Sequence, residues 1–273
     1  MALLNLLPLS LEEVRRFPEA PVDLWTTVWT GGYPRIHDRS LRASDWLGDY
    51  TATYLQRDVQ QVLRVSHLDA FTAFLQLTAG RTAQERNLVA LGADAGVTHP
   101  TVRAWLSVLE ASFVLFKAPP WIPNVRKRAV EAPKLHFVDS GLACHLLGIR
   151  DPDQLRVHPL RGAIFESWVA SEILKARVHR GAPAEVFHLR EVRGVEVDLV
   201  VEAGRRLIAV EAKSGGTVAS DFVRALDRLP AMVGKAALGR ELVRRLVYGG
   251  EEPQRRTSLD VIPWHAVQDV DWV

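Results

Sequence analysis

Two apolar runs joined by a tight turn, VEVDLVVEAGRRLIAVEAK at residues 195–213, constrain this chain more than any other feature. Hydrophobic residues alternate along the first run, and residues 207–210 form a second β-prone run after the turn at 202–205. We therefore predict two paired strands, at 195–201 and 207–212.

Asp198 lies within the first predicted strand, Glu211 within the second, and Lys213 directly follows the second. Because side chains alternate along a strand, Glu211 and Lys213 should project to the same face, and Asp198 can meet Glu211 from the neighbouring strand if the register allows. Mg²⁺ is typically held by one or two carboxylates plus substrate phosphate, and a Lys beside them can orient or activate a water and stabilise the transition state. The trio therefore predicts a Mg²⁺ or Mn²⁺ site for phosphodiester cleavage.

A structural explanation of the trio stays open at this point. A spacing of this kind arises by chance about once in a chain of this length, and a solvated hairpin edge with a salt bridge would give the same pattern. The apolar strands around it favour the metal site, because a charged residue there is costly unless it is paired or metal-bound.

A fourth candidate, Glu166, lies in the helical pattern RGAIFESWVASEILKARV at residues 161–178. Its neighbours three, four and seven positions later are apolar, so its carboxylate needs a partner, whereas Glu172 can pair with a nearby Arg or Lys. We predict that Glu166 binds the metal or supports its water.

The same half of the chain predicts an α-β-β-β-α order. A strand at 186–190 precedes the pair, Gly194 makes the first hairpin turn, and a second helix covers about 219–229. The remaining expectations are late strands at 242–248 and 258–263 that extend the sheet, and an exposed finish at Trp272.

This order, with Glu166, Asp198 and the motif from Glu211 to Lys213, resembles the PD-(D/E)XK restriction-endonuclease-like superfamily. From about Leu6 onward the chain is also similar to the C-terminal half of a prokaryotic family of AAA-type ATP-binding proteins, whose distal domain of unknown function is nuclease-like. The similar segments, all in the same order, are 31–35, 53–59, 96–110, 133–148, 162–174 and 196–215.

The resemblance implies an α/β protein in which a winged helix-turn-helix is followed by a restriction-endonuclease-like αβββα domain with a mixed sheet. It implies the end of an ATPase domain and a helical linker at 1–80, the winged helix-turn-helix at 81–132, and the nuclease-like domain at 133–273. Nothing here fits the P-loop pattern G-x-x-x-x-G-K-[ST]. We therefore expect no ATP binding by this chain, and either a truncated or split relative or one that works with a separate ATPase.

The residues also favour a helix-turn-helix by themselves. A short helix at 88–95, a turn at 96–98 and a capped second helix at 100–111 suit the motif. Such modules also serve for packing or protein interaction alone, so that alternative stays open. The expected DNA contacts are His99, Thr101 and Arg103 at the start of the second helix, and Arg126, Lys127, Arg128 and Lys134 on a basic wing.

Composition limits the partners. The net charge of +2 is too small for general affinity toward polyanions, so nucleic-acid binding has to come from local patches. The single cysteine, Cys144, rules out an internal disulfide, suits a reducing cytoplasm and is expected in the core. No segment has the length of a transmembrane helix, and the leucine-rich start lacks the features of a signal peptide, so we expect a cytoplasmic protein without a membrane partner.

Two functions remain. The first is a metal-dependent nuclease that hydrolyses DNA, in which Asp198, Glu211 and Glu166 hold the metal and Lys213 is catalytic. The second is a catalytically inactive DNA- or protein-binding module that docks with a separate ATPase. The complete set of four residues favours the first function, and the missing P-loop and low net charge favour the second.

Overall fold

The chain divides into two compact units that are not consecutive in sequence. A computed structural model describes residues 6–55, 68–122, 132–190, 196–234, 239–256 and 259–273. The first unit consists of Met1–Phe116 with Leu135–Ile164, and the second of Lys117–Lys134 with Phe165–Val273.

The first unit is mainly helical. A π-helical turn, Thr51–Leu55, extends its fourth helix, and short strands form a three-stranded sheet in the order β1-β3-β2. The helices are α1 Leu11–Val14, α2 Leu24–Thr30, α3 Pro34–Asp38, α4 Ala43–Tyr50, α5 Leu68–Ala79, α6 Leu88–Ala95, α7 His99–Ala111, α8 Ser140–Leu146 and α9 Pro152–Val157; the strands are β1 Gln84–Glu85, β2 Leu115–Ala118 and β3 Lys134–Phe137.

One hydrophobic core joins helices from three parts of the sequence. Leu47 of α4, Phe71 and Phe74 of α5, Trp105 of α7 and Leu142 of α8 are all buried in it. The ring of Trp105 lies 5.2 Å from Phe71 and 5.0 Å from Phe74, in edge-on contacts that favour aromatic packing. These helices come from all three of the segments 1–80, 81–132 and 133–273, and the expected domain division stays a prediction.

The predicted pair of helices around Gly96 is confirmed. Helix α6 ends at Gly96, whose φ of 67° lies in the left-handed region, and α7 begins after Thr98. The Thr98 hydroxyl accepts a hydrogen bond from the backbone N–H of Thr101 at 3.4 Å and caps α7. Gly96 therefore ends the first helix as its C-cap, and Thr98 begins the second as its N-cap.

A buried carboxylate links α8 to the segment after α2. Asp139 accepts a hydrogen bond from the N–H of Leu142 on Oδ1 at 2.8 Å, which caps α8, and one from the N–H of Gly32 on Oδ2 at 2.7 Å. Gly31 has a φ of 73°, and its α-carbon lies so close to Asp139 that a β-carbon there would overlap the carboxylate. The pair of glycines thus lets the backbone reach the carboxylate.

The second unit contains a mixed six-stranded sheet in the order β4-β5-β6-β7-β9-β8. Strands β4, β5 and β6 are antiparallel, β7 and β9 add in parallel, and β8 pairs antiparallel with β9. The predicted α-β-β-β-α order and the late strands are confirmed, with bounds shifted by one or two residues at most ends; Gly194 lies outside the described residues. The elements are α10 Arg161–His179, β4 Phe187–Arg190, β5 Glu196–Ala203, β6 Arg206–Lys213, α11 Arg224–Val233, β7 Glu241–Tyr248, β8 Gln254–Arg256 and β9 Leu259–Pro263.

Strands β5 and β6 form the hairpin that the alternating pattern predicts. Leu199 pairs with Val210, and Gly204, with a φ of 58°, lies in the two-residue turn. Helix α11 packs against β5, β6 and β7, and its Leu226 and Leu229 enter the core of this unit. This packing buries most of the hairpin and places its charged residues in an apolar setting.

The expectation of an exposed finish at Trp272 is wrong. The ring of Trp272 is fully buried, its Nε1 donates to the carbonyl of Val267 at 2.7 Å, and the guanidinium of Arg245 lies 4.7 Å from the ring centre. Arg177 of α10 also donates to the Trp272 carbonyl at 2.7 Å. These contacts bind the last residues to the sheet and helix, which local sequence patterns do not reveal.

Cys144 is buried, as predicted, and burial raises the pKa of its thiol well above the ordinary range. Its location in α8 among apolar neighbours suits a packing role. Within the described ranges, no helix combines the length and apolar character needed to cross a bilayer.

Candidate functional site

The hairpin of β5 and β6 brings Asp198, Glu211 and Lys213 together. The ammonium of Lys213 lies 2.8 Å from Oδ2 of Asp198 and 2.6 Å from Oε2 of Glu211. The prediction that Glu211 and Lys213 share a face is confirmed by this contact. Two carboxylates from neighbouring strands therefore flank one ammonium group.

Asp198 is the carboxylate that stays ionised. Burial alone would raise its pKa, but the charges of Lys213 and Lys134 and a hydrogen bond from the Ala212 N–H at 2.9 Å lower the pKa below its ordinary value. The side chain therefore carries a negative charge at neutral pH, at the centre of the site.

Glu166 of α10 contacts a second ammonium group, that of Lys134 at the start of β3. The distance from Lys134 Nζ to Glu166 Oε1 is 2.8 Å, and Lys134 also pairs with the carboxylate of Glu196 on β5. Lys134 is only 3% exposed. The expectation that Lys134 lies on an exposed basic wing therefore differs from the structure, because its strand is buried and its charge is taken up by carboxylates.

Burial and mutual repulsion shift the titration of these groups. Burial first, and the charge of Asp198 second, raise the pKa of Glu166 and of Glu211 to about 8 each. For Lys134 and Lys213, burial alone would lower the pKa, but the surrounding carboxylates outweigh it and raise the pKa above the ordinary value. The carboxylates therefore favour the ammonium form of both lysines.

Asp198 and Glu211, two of the three predicted metal ligands, contact the same ammonium group, that of Lys213. Among the residues that the structure describes, no three His, Cys, Asp or Glu side chains are grouped as a metal ion requires. Glu166 turns to Lys134, but Oε1 of Glu211 is buried and has no hydrogen-bond partner among the described residues. Since Mg²⁺ is commonly bound through one or two protein carboxylates, Asp198 and Glu211 would hold it.

The predicted DNA contacts are only partly described. Arg103 is exposed on α7, whereas His99 and Thr101 are half-buried, and the Thr101 hydroxyl lies 2.9 Å from that of Thr98 in the helix cap. Of this set, Arg103 is therefore the side chain most available to a phosphate. The wing residues Arg126, Lys127 and Arg128 lie outside the described residues.

The sequence analysis did not predict that Glu196 and Lys134 belong to the charged cluster around Asp198. Glu196 lies two residues before Asp198, so strand alternation puts both on one face, and this signal was available from the sequence. Lys134 opens the apolar run KLHFV, where a buried charge signals a need for partners. Its partner Glu166 is 32 positions away, which no local pattern identifies.

Two family models match separate parts of this chain. Residues 22–153 match the family described as Domain of unknown function (DUF8612). Residues 161–267 match the one described as Domain of unknown function (DUF4143). Lys134 lies within the first match, and the remaining members of the charged cluster lie within the second.

Two curated relatives are uncharacterized proteins of Mycobacterium tuberculosis (strain H37Rv) and Mycobacterium bovis. Each is 30% identical to this chain over 173 residues, which cover 63% of the chain and 38% of the relative. The chain thus spans about two fifths of the length of these relatives. No solved structure matches the chain.

Proposed function

We propose that this protein is a metal-dependent nuclease that hydrolyses phosphodiester bonds in DNA, with its site in the second unit. The observation that carries the proposal is the ammonium of Lys213 between Asp198 and Glu211, beside a buried oxygen of Glu211 that has no hydrogen-bond partner in the described part of the chain. An oxygen without a hydrogen-bond partner in the interior is costly, so its retention suits a ligand that the folded chain alone does not supply.

The chain's own groups would divide the work in a defined way. Asp198 and Glu211 would hold the cation, which would supply positive charge to the phosphate oxygens. Lys213, fixed by both carboxylates and cationic at neutral pH, would donate to the phosphate and stabilise the negative charge that develops on it. This role needs a protonated amine, which is the state that the surrounding carboxylates favour.

The arrangement of elements supports the same proposal. Helix α10 supplies Glu166, and the antiparallel strands β5 and β6 supply the other three residues, in the order expected for a restriction-endonuclease-like fold. We also propose that α6, α7 and the sheet β1-β3-β2 form a winged helix-turn-helix that contacts DNA. The match to DUF4143 falls on the proposed nuclease region.

The second candidate is an inactive binding module, and the pairing of Lys134 with Glu166 favours it. With that carboxylate neutralised by a lysine, the cluster is partly satisfied without any metal. Such a module would bind DNA or a separate ATPase and keep the charged cluster only for stability.

Cleavage of labelled single- and double-stranded DNA separates these functions. The full chain is assayed with Mg²⁺, with Mn²⁺ and with EDTA, beside Lys213→Ala and the control Lys175→Ala. Lys175 is the control because it also pairs with a glutamate, Glu172, at 3.0 Å, although it is more deeply buried than Lys213. A nuclease gives metal-dependent cutting that Lys213→Ala loses and Lys175→Ala retains.

Absence of cutting under every metal condition, with DNA bound equally by all three chains, would establish the binding module instead. Cutting that survives in Lys213→Ala would place the reaction elsewhere in the chain.

A further inference from the structure

Lys134 stands outside the hairpin that supplies most of the candidate site, yet its ammonium is part of the same charged cluster. It lies 2.8 Å from Oε1 of Glu166 and is paired with Glu196. The side chain is almost wholly buried, and the charge of Asp198 also acts on it. Lys134 is therefore a fixed cation inside the site and not a surface charge.

The cluster contains the same arrangement twice, an ammonium group between two carboxylates. Lys213 bridges Asp198 and Glu211, and Lys134 bridges Glu166 and Glu196, so each ammonium joins two carboxylates. When all groups are ionised, four carboxylates against two ammonium groups leave two negative charges, because 4 − 2 = 2. One divalent cation balances that charge, and two would exceed it.

The carboxylate oxygen atoms also favour a single divalent cation. Glu211 keeps a buried oxygen without a hydrogen-bond partner among the described residues, whereas Glu166 directs Oε1 to Lys134. A cation at Glu166 would meet the ammonium of Lys134, just as one at Asp198 and Glu211 would meet that of Lys213. What separates the two ends of the cluster is the buried Oε1 of Glu211, which can accept a cation.

We propose that Lys134 is a built-in cation that takes the place of a second metal ion, and that it restricts the site to one divalent cation held by Asp198 and Glu211. Glu166 then positions Lys134 and is not a metal ligand. The inference rests on the metal site of the proposed function. It predicts that Lys134 determines how many divalent ions the chain binds.

Mn²⁺ binding tests this directly. Binding to the full chain is measured by the electron paramagnetic resonance signal of free Mn²⁺ and by calorimetry, for the natural chain, for Lys134→Met and for Lys175→Met. Methionine keeps the length of the side chain and removes the charge. We expect one Mn²⁺ per chain in the natural protein and in Lys175→Met, and two in Lys134→Met.

Mn²⁺ binding by Glu166→Gln and by Asp198→Asn gives a second test, which holds even if Lys134→Met does not fold. Glu166→Gln keeps an oxygen that accepts from Lys134 and should weaken Mn²⁺ binding by no more than about tenfold, as for loss of an outer contact. Asp198→Asn should abolish binding. Equal loss in Glu166→Gln and Asp198→Asn would make Glu166 a ligand and overturn the inference.

One Mn²⁺ of unchanged affinity in a folded Lys134→Met, or two in the natural chain, would also overturn it. The proposed nuclease is judged separately by cleavage. A natural chain that cuts DNA and binds two Mn²⁺ refutes only the inference, whereas one that binds a single Mn²⁺ and cuts no DNA refutes only the nuclease. Absence of Mn²⁺ binding in all chains refutes both.

Discussion

The ammonium of Lys134 lies 2.8 Å from the carboxylate of Glu166, and it joins residues from a strand and a helix that are 32 positions apart in sequence. Glu166 sits on a largely apolar stripe of α10, so its carboxylate needed a partner. That partner is a lysine from β3. In the proposed site, Asp198 and Glu211 would hold the metal and Glu166 would support it through Lys134.

The stability of the metal-free protein should fall as the pH rises from about 4.5 to about 8. The pKa of Glu166 and of Glu211 is raised from 4.5 to about 8, so the folded chain binds these protons more tightly than the unfolded chain in this window. The free energy of unfolding then decreases with pH, by at most about 1.4 kcal/mol per pH unit for each proton. Asp198, with a lowered pKa, acts in the opposite direction only at lower pH.

Urea unfolding in EDTA at several pH values between 5 and 8 measures this slope. Glu211→Gln serves as the matched variant, because it removes one of the two groups and leaves the other contributions in place. Its unfolding free energy should depend less steeply on pH than that of the natural chain. Parallel curves for the two chains would show that Glu211 does not titrate in this range.

Asp139 should be far more important for stability than an exposed helix cap. Asp139→Ala removes the acceptor for the N–H groups of Leu142 and Gly32 and leaves the latter buried, so we expect a loss of about 3 kcal/mol. Asp23 caps α2 through Thr26 but is exposed, and Asp23→Ala should cost about 1 kcal/mol. Equal losses in urea unfolding would contradict the linking role of Asp139.

Gly31 should not tolerate a side chain. A β-carbon at this position would overlap the carboxylate of Asp139, and its positive φ disfavours other residues, so Gly31→Ala should cost at least about 2 kcal/mol. Gly162 in α10 has open space around its α-carbon, and Gly162→Ala should add up to about 1 kcal/mol. Thermal unfolding of both variants checks the contrast, and a harmless Gly31→Ala would refute the close approach.

Arg103 should contribute to DNA affinity through a phosphate. It is exposed near the start of α7, and Arg103→Ala should reduce the slope of log affinity against log salt by about 1. Arg42→Ala, which removes another exposed arginine of the first unit, is the control. Fluorescence anisotropy with labelled duplex DNA gives both slopes, and identical slopes for the two variants would exclude a special role for α7.

Local patterns predicted the second unit well because its elements have clear periodicity. Alternation identified β5 and β6, and strand parity placed Glu211 and Lys213 on one face, where they are in contact. The same reasoning could not find Lys134 or Trp272, because their burial depends on partners far away in sequence. A core shared by several helices, such as that of the first unit, is likewise a property of packing and not of any one helix.

Cleavage by Glu211→Gln at pH 7 tests the central claim most directly. Because burial and the charge of Asp198 raise the pKa of Glu211, the metal-free fold favours its neutral form, and glutamine imitates that form. The variant should therefore unfold at a higher urea concentration than the natural chain at this pH, because the natural chain releases the Glu211 proton on unfolding and glutamine has none to release. Its Mn²⁺-dependent cleavage of labelled DNA should fall by about a hundredfold or more. A folded Glu211→Gln that cuts DNA at the natural rate would contradict the account.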